Sequence, residues 1–264
     1  MKEHVWVASR SKRLSVMIHI PNTFTEGTPL IISCHGFTGD KIGANQLTLN
    51  LAKAMEQSGF AVIRFDYLGS GDSDGDFAAD TLVTGWQQDL SSIFTWVKSQ
   101  QRFSTSPIIL YGHSLGGLVT LTHKEFSKDI AARIVFAPVV NAIADFRDTI
   151  LGPELWQKSL HGEPIENFYG KGFKLNSQLV QDLVNNNYDP VGDMTQLTTP
   201  LLIVHGTADM VIPIQGSQEL YKRYRGLKNF ESLDVDHVAT GAHQALQEVI
   251  VGWLKALFPR LETH

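Results

Sequence analysis

The chain has 264 residues, of which 43% are hydrophobic and 19% are charged, and its formal net charge is -5. This length suits one large α/β domain or two small ones, with a core large enough to need no disulfide or metal. The mild negative charge indicates neither a nucleic acid nor an anionic membrane surface as a partner. The single cysteine, Cys34, lies in an apolar run and is expected to be a small buried residue.

The N-terminus has no basic start followed by an apolar stretch, and no apolar segment is long enough to span a bilayer. We therefore expect a cytoplasmic protein with no membrane partner, unless a leader has been removed. The lone cysteine fits a reducing compartment, since it has no partner for an internal disulfide.

Two segments near the N-terminus alternate polar and apolar residues, as in an antiparallel hairpin that is half exposed to water. After them, apolar runs typical of buried strands alternate with helical stretches. This order predicts βαβ units and a mostly parallel, eight-stranded sheet with helices on both faces. We expect the hairpin strands at 5–8 and 14–20, the other strands at 30–34, 60–65, 108–111, 133–137, 201–204 and 230–235, and helices at 45–58, 85–101, 115–126, 214–224 and 242–258.

The segment from about 139 to 197 breaks this rhythm, because aromatic residues are scattered there among polar residues and glycines. It is too long for a simple crossover, and loops of this length usually carry function or structure of their own. We predict an inserted cap subdomain at 139–197, over a core formed by 1–138 and 198–264. The alternative is a peripheral helical excursion that contacts no ligand.

The segment 107–117 combines an apolar strand, a serine between glycines and the start of a helix. A G-x-S-x-G pattern in this setting is typical of the nucleophile elbow, a strained turn that presents the serine hydroxyl. Ser114 is therefore the candidate nucleophile, provided that a base takes its proton. The alternative is a glycine-rich turn with an incidental serine.

Two further candidates follow later strands, in the order serine, acid, histidine. Asp209 lies in the loop after the strand at 201–204, and His237 lies in the loop after the strand at 230–235. Loops at the carboxyl ends of parallel strands are where ligands meet an open α/β sheet. We predict that His237 is the general base, and that Asp209 orients its imidazole and stabilises the cation.

Acyl transfer also needs hydrogen-bond donors for the tetrahedral oxyanion. Leu115 offers one backbone N–H at the start of a helix, and Phe37, in the loop after the strand at 30–34, is assigned the second. The side chain of Phe37 would also wall the acyl pocket, with Met210 at the pocket edge beside Asp209. A plain glycine turn around Phe37 and a filler role for Met210 are the alternatives.

Other candidates for these roles are weaker. His243 lies at the start of the closing helix, where an exposed histidine is expected, and Asp236 is adjacent to His237, so that the two side chains diverge. The loop at 65–73 lacks the lysine and the helix of a phosphate-binding loop, and is predicted to be a tight loop held by hydrogen bonds of Asp66 and Asp72. Structural packing is expected for three histidines near strand ends: His35, His113 and His205.

Five segments together resemble the α/β-hydrolase fold over nearly the whole chain, and more narrowly the bacterial cinnamoyl or feruloyl esterases and their carboxylesterase relatives. The resemblance implies hydrolysis of carboxylic esters through an acyl-serine, with no cofactor and no metal. The segments that carry it are 35–39, 64–75, 112–117, 205–209 and 236–237.

The same resemblance implies a cap that recognises an aromatic acyl group through a polar hydroxyl partner and a tyrosine. By position, Asp145 and Tyr169 would take those parts. The segment 176–190 resembles more general acyl hydrolases at least as well, so short-chain and monoacylglycerol-type esters stay open as substrates.

We therefore predict a serine carboxylesterase that acts on a small-molecule ester with an aromatic or short-chain acyl group; a homodimer stays open. The alternatives are a general acyl hydrolase, a small amidase or exopeptidase, and a binding protein that keeps the fold without turnover. A dehalogenase or an epoxide hydrolase would need an aspartate at the elbow, and Ser114 excludes both.

Overall fold

A large twisted sheet forms the centre of the protein in the computed structural model, which describes residues 1–259. This part of the chain contains ten strands, of which β7 and β8 form a separate antiparallel hairpin. They are β1 (Lys2–Ser9), β2 (Lys12–His19), β3 (Leu30–Cys34), β4 (Ala61–Phe65), β5 (Ile108–His113), β6 (Ile130–Phe136), β7 (Ile165–Phe168), β8 (Phe173–Leu175), β9 (Leu201–Gly206) and β10 (Lys228–Leu233).

The order of strands in the large sheet is β1-β2-β4-β3-β5-β6-β9-β10. The pairs β1/β2 and β2/β4 are antiparallel, and the other neighbours are parallel. The prediction of a mostly parallel sheet of eight strands that starts with an antiparallel hairpin is confirmed. In the centre, β3 pairs with β5 so that Cys34 lies opposite Gly112, next to the predicted nucleophile.

Helices cover both faces of the sheet, because the central strands are apolar on both sides. Ile31 and Ile109 face a cluster that includes α1 and α10, whereas Ile32 and Leu110 face the cluster around α3. The helices are α1 (Leu47–Gln57), α2 (Phe77–Asp80), α3 (Val83–Ser99), α4 (Leu115–Thr122), α5 (Ala142–Asp145), α6 (Pro153–Leu160), α7 (Gln178–Asn186), α8 (Pro190–Thr195), α9 (Ile214–Arg223) and α10 (His243–Leu257). None of the helices within residues 1–259 is both long and apolar enough to cross a bilayer.

Helix α4 ends at Thr122, four residues before the end expected from the sequence. The buried guanidinium of Arg133, on β6, explains this early end. Its Nε donates to the carbonyl of Thr120 at 3.2 Å, and its Nη2 donates to the carbonyl of His123 at 3.3 Å. A cation bonded to the last carbonyls of a helix satisfies acceptors that have no partner inside the helix.

The insertion between β6 and β9 contains α5 to α8 and the β7–β8 hairpin, together with a π-helical turn at Phe146–Ile150. Several of its apolar side chains are buried in the same cluster as Trp86 of α3, among them Trp156, Phe168 and Leu179. The insertion therefore packs on the α3 side of the molecule. Its description as a cap subdomain with the boundaries 139–197 stays a prediction, and the last five residues of the predicted core, 260–264, lie outside the described part.

Candidate active site

Ser114 occupies the sharp turn between β5 and α4, with φ of 55° and ψ of -120°. A residue other than glycine in such a conformation stores about 1–3 kcal/mol of strain. The turn needs glycine on both sides of the serine. A Cβ on Gly112 would overlap the carbonyl of Gly116, and a Cβ on Gly116 would overlap the carbonyl of Cys34. The strand, the turn and the helix thus pack at backbone distance, which is the geometry of a nucleophile elbow.

Asp209 and His237 meet beyond the carboxyl ends of β9 and β10. Nδ1 of His237 donates to Oδ2 of Asp209 at 2.7 Å, and Oδ1 accepts the backbone N–H groups of Val211 and Ile212 at 2.8 and 2.9 Å. Burial alone would raise the pKa of Asp209, but hydrogen bonds from His205 and His237 outweigh it and hold the pKa well below its ordinary value. The ionised carboxylate keeps the proton of neutral His237 on Nδ1, so that Nε2 is the nitrogen able to accept a proton.

His113, the residue before Ser114, contacts the loop of His237. Its Nε2 donates to the backbone carbonyl of His237 at 2.9 Å, and the centroids of the two rings lie 4.9 Å apart. The structure thereby brings His237 next to the elbow. Ser114 is 5% exposed, and its hydroxyl makes no hydrogen bond within residues 1–259. Catalytic hydrogen bonds are often long in the free enzyme and tighten only when substrate is bound.

A second histidine contacts Asp209, although the sequence suggested only packing for it. His205 is fully buried, with Nε2 3.0 Å from the carbonyl oxygen of Ile212 and 3.4 Å from Oδ2 of Asp209. Its Nδ1 lies 2.8 Å from the hydroxyl of Ser217. Since a carbonyl oxygen only accepts, Nε2 carries a hydrogen and donates it to Ile212, with the Asp209 carboxylate next to this N–H. The spacing of four residues between His205 and Asp209 was the only signal of this contact in the sequence.

The two predicted oxyanion donors lie beside the serine. Within residues 1–259, neither the backbone N–H of Phe37 nor that of Leu115 donates to another group. Leu115 is the first residue of α4, where helix N–H groups lack intrahelical partners. Phe37 follows Gly36, and a Cβ on Gly36 would lie 3.1 Å from Cβ of Ser114. Two unpaired donors beside Ser114 match what an oxyanion hole requires, and the roles of Phe37 and Leu115 stay predictions.

A buried ion pair anchors the loop that carries Phe37, residues 35–43, which we call the oxyanion loop after its predicted role. Asp66 accepts the backbone N–H and the Nζ of Lys41 at 2.6 and 2.5 Å, and also the N–H of Asp72 at 2.8 Å. Burial alone would lower the pKa of Lys41, but the hydrogen bonds to Asp66 and Asp72 outweigh it and raise the pKa. Arg64 in turn donates to the carbonyl of Lys41. The prediction of a tight loop held by aspartate hydrogen bonds is confirmed, and it also fixes the oxyanion loop.

The side chain of Phe37 belongs to an aromatic cluster, which we call the aromatic wall. Its ring lies 6.0, 5.4 and 5.7 Å from the rings of Phe77, Phe146 and Phe168, and Phe173 lies 4.7 Å from Phe77. Phe146, Phe168 and Phe173 come from the insertion between β6 and β9. The insertion therefore packs directly against the oxyanion loop.

The three residues suggested for substrate contact lie in different surroundings. Asp145 is buried, its Oδ2 accepts two backbone N–H groups at 3.3 and 3.1 Å, and burial raises its pKa to about 6. Tyr169 is half exposed, and its hydroxyl donates to the carbonyl of Ile150 at 3.1 Å. Met210 is 90% exposed, so its side chain extends into solvent instead of filling a pocket. Their roles toward a substrate stay predictions.

The rival residues make contacts of their own. His243 is half-buried, not exposed as expected, because α1 packs against the start of α10 and places Asn50 3.3 Å from its Nδ1. Asp236 accepts two backbone N–H groups of its own loop and so does not orient His237. His35 is buried, and its Nδ1 donates to the carbonyl of Gly36 at 2.8 Å. His35 therefore packs inside the oxyanion loop.

Comparison with protein families decides the class of this chain. The family Hydrolase_4, described as "Serine aminopeptidase, S33", matches residues 26–169, more than half of the chain. The chain belongs to this family. It is an α/β hydrolase of a serine hydrolase family, and the nucleophile elbow lies inside the matched range. The predicted fold and the resemblance to α/β-hydrolase esterases are confirmed at this level.

Curated relatives of this Hydrolase_4 protein match it over part of their length. Human protein ABHD12B is 29% identical over 205 residues, which are 75% of this chain and 50% of the relative. The lysophosphatidylserine lipase ABHD12 of Rattus norvegicus is 26% identical over 218 residues, 80% of this chain and 49% of the relative. The chain thus spans about half the length of these two relatives.

Solved structures show the same fold over almost the full chain. Est1E from Butyrivibrio proteoclasticus, solved with ferulic acid, has a TM-score of 0.83 at 22% identity, with 97% of this chain and 99% of Est1E covered. Mouse alpha/beta hydrolase domain-containing protein 10 has a TM-score of 0.75 at 22% identity, with 98% and 100% covered. At such identities the likeness shows the fold alone.

Proposed function

We propose that this Hydrolase_4 protein is a carboxylic ester hydrolase, with Ser114 as nucleophile, His237 as general base and Asp209 as its orienting acid. The hydrogen bond of 2.7 Å between Asp209 and His237, next to the elbow, is the observation that carries the proposal. It favours the tautomer of His237 that can accept the serine proton on Nε2.

The reaction begins when Nε2 of His237 takes the proton of Ser114 and the serine oxygen bonds to the ester carbonyl carbon. The backbone N–H groups of Phe37 and Leu115 stabilise the oxyanion. Protonated His237 then gives its proton to the leaving alkoxide as the C–O bond breaks, which leaves an acyl-serine. A water molecule gives a proton to His237 and attacks the acyl carbon, Ser114 regains its proton, and the carboxylic acid leaves. Each step uses only groups of the chain and water.

For the acyl group we favour an aromatic acid of the cinnamoyl or feruloyl type. The aromatic wall lies beside the oxyanion loop, and its half-buried rings, those of Phe37, Phe77 and Phe173, would contact a planar acyl group. Asp145 and Tyr169 would contact polar substituents of the acyl ring, and Met210 would edge the entrance. Est1E, which shares the fold, was solved with ferulic acid bound.

A short-chain or longer aliphatic ester is the second candidate. The lysophosphatidylserine lipases among the relatives carry this possibility in their name, and an aromatic wall also packs against alkyl chains. The family description raises aminoacyl amides as a third substrate class. These classes differ in the group that must fit against Phe37, so a substrate panel separates them.

The test of the nucleophile is a fluorophosphonate probe followed by mass analysis of the adduct. We expect the adduct on Ser114, and we expect Ser114→Ala to lower kcat for p-nitrophenyl butyrate by at least about 10³-fold. Ser106→Ala is the matched control, because Ser106 is also buried but lies at the opposite end of β5. A protein that gives no adduct, or an unchanged rate in Ser114→Ala, would refute the proposal and favour a binding protein.

The test of the substrate class compares kcat/KM for the methyl esters of ferulic, butyric and octanoic acid, for p-nitrophenyl acetate and for an aminoacyl p-nitroanilide. We expect methyl ferulate to be the best of the methyl esters, and Phe173→Ala to lower its kcat/KM more than that of p-nitrophenyl acetate. A strong preference for aliphatic esters would exclude the feruloyl class. Faster cleavage of the anilide than of any ester would indicate an aminopeptidase.

A further inference from the structure

His113 lies between two parts of the site that come from distant strands. Ser114 follows β5 in the middle of the sheet, whereas His237 follows β10 at its edge, with β6 and β9 between them. The loop of His237 must therefore reach back across two strands. The bond of 2.9 Å from Nε2 of His113 to the carbonyl of His237 joins this loop to the residue before the nucleophile.

The surroundings of His113 leave its ring little freedom. The side chain is mostly buried, since the residue is 8% exposed, and the ring stacks on Phe136 with a centroid distance of 5.3 Å and an interplanar angle of 18°. On its other edge, a Cβ on Gly36 would lie 3.2 Å from Nδ1 of His113. The ring is thus held between β6, the oxyanion loop and the loop of His237.

The hydrogen-bonding partners determine the tautomer of this ring. The carbonyl of His237 only accepts, so Nε2 of His113 carries a hydrogen. Burial, helped by the nearby His237, lowers the pKa of His113 to about 3, against opposing effects of the His237 carbonyl and of Asp209. His113 is therefore neutral wherever His237 works as a base, and it adds no positive charge next to the imidazolium that forms during catalysis.

We propose that His113 is a positioning residue that sets the place of His237 relative to Ser114 through its hydrogen bond to the backbone carbonyl of His237. This inference rests on the proposed function of Ser114 and His237. One rigid ring then links the backbones of nucleophile and base, so their separation does not depend on two independent loops. A misplacement of about 1 Å between reacting groups can cost about 10²-fold in rate.

Two substitutions separate the hydrogen bond from the volume of the side chain. In His113→Gln, the side-chain amide can place an N–H close to the position of Nε2. In His113→Met, the length is similar, but no donor is left. We expect kcat per active site, titrated with the fluorophosphonate probe, to fall about 10- to 100-fold in His113→Met with little change in KM, and to be largely restored in His113→Gln.

The pH profile of kcat/KM provides a readout that a purely structural role would not move. Its acid limb reports the apparent pKa of the base in the free enzyme. The hydrogen bond to Asp209 favours the protonated imidazole of His237. A shift of His237 weakens this bond and therefore makes protonation less favourable. The groups that face His113 are His237, Asp209 and His35. We expect the acid limb to move to lower pH in His113→Met and to stay in place in His113→Gln.

His123→Met is the matched control, because His123 is also buried, its pKa is also lowered by burial, and it bonds to Gln87, away from the site. We expect it to change thermal stability but neither kcat nor the acid limb. If His113→Met does not fold, His113→Asn replaces it, since the shorter amide reaches only the position of Nδ1.

Three results would overturn the inference: an unchanged kcat in the donor-free variant, an equal loss in His113→Gln, or an acid limb that does not move. In each of them the wild-type enzyme is active, so the proposed function survives. A wild-type protein that neither hydrolyses esters nor reacts with the probe would overturn the proposed function, and this inference with it.

Discussion

Replacing Asp209 by asparagine tests the orienting acid, because the structure dictates how the new amide must point. Oδ1 of Asp209 accepts the N–H groups of Val211 and Ile212, so the amide oxygen of asparagine has to take that place. Its NH₂ group then faces Nδ1 of His237. An NH₂ donor requires an acceptor there, which forces the proton of His237 onto Nε2, where it can no longer accept the proton of Ser114.

We expect Asp209→Asn to lower kcat by about 10⁴-fold, or about 5.5 kcal/mol of barrier, which is the size of a wrong-tautomer effect in a triad. The measurement is kcat for p-nitrophenyl butyrate at neutral pH, with circular dichroism as a check of folding. Asp236→Asn is the matched control, because Asp236 also accepts two backbone N–H groups, whereas the ring of His237 bonds to Asp209. If Asp209→Asn kept more than about a tenth of kcat, or if Asp236→Asn lost as much, the tautomer argument would be wrong.

Two further predictions concern buried carboxylates. Asp66→Asn leaves the buried ammonium of Lys41 with Asp72 as its remaining partner. We therefore expect the free energy of unfolding to fall by about 3–5 kcal/mol and the melting temperature by about 5–9 °C. The side chain of Asp72 is 77% exposed, so Asp72→Asn should cost less than about 1 kcal/mol, and equal losses would contradict the anchoring of the oxyanion loop. Because burial raises the pKa of Asp145 from 3.8 to about 6, its contribution to stability is present below pH 3.8 and is lost as the pH rises through 6. In urea unfolding, the free energy of unfolding of the wild type should fall by about 3 kcal/mol over that pH range, and Asp145→Asn should remove this fall. A fall that persists in the variant would show that Asp145 is not its cause.

The sheet and the triad candidates could be predicted because both depend on local patterns. The strands around Ile32, Ile63 and Leu110 are mostly apolar and are buried at every position, which is typical of strands covered on both faces. Asp209 and His237 lie in the loops after β9 and β10, so the parallel topology alone places them at the carboxyl ends of neighbouring strands. Where a strand ends in sequence is therefore informative about where its loop lies in space.

The rest depended on contacts between residues far apart in the chain. Helix α4 ends at Thr122 because Arg133 bonds to the carbonyls of Thr120 and His123. The sequence around α4 does not predict this contact with a residue of β6. The β7–β8 hairpin was not predicted because its strands are short and depend on the packing of Phe168 and Phe173 against Phe37 and Phe77. Strand preference depends on such packing more than on the local sequence. The contacts of His113 and His205 depend on which ring nitrogen lies next to which carbonyl oxygen. The hydrophobic periodicity of a sequence does not contain this information.

The aromatic wall has a consequence for engineering new specificities by exchanging the insertion between β6 and β9. Phe37 supplies a backbone N–H beside Ser114, while its ring packs on Phe146 and Phe168 of the insertion. If only the insertion is exchanged, the ring of Phe37 stays in the protein but loses its partners Phe146 and Phe168. The unit to exchange therefore has to include residue 37 and its loop. An insertion shaped for another side chain at position 37 would displace the backbone of that loop beside Ser114.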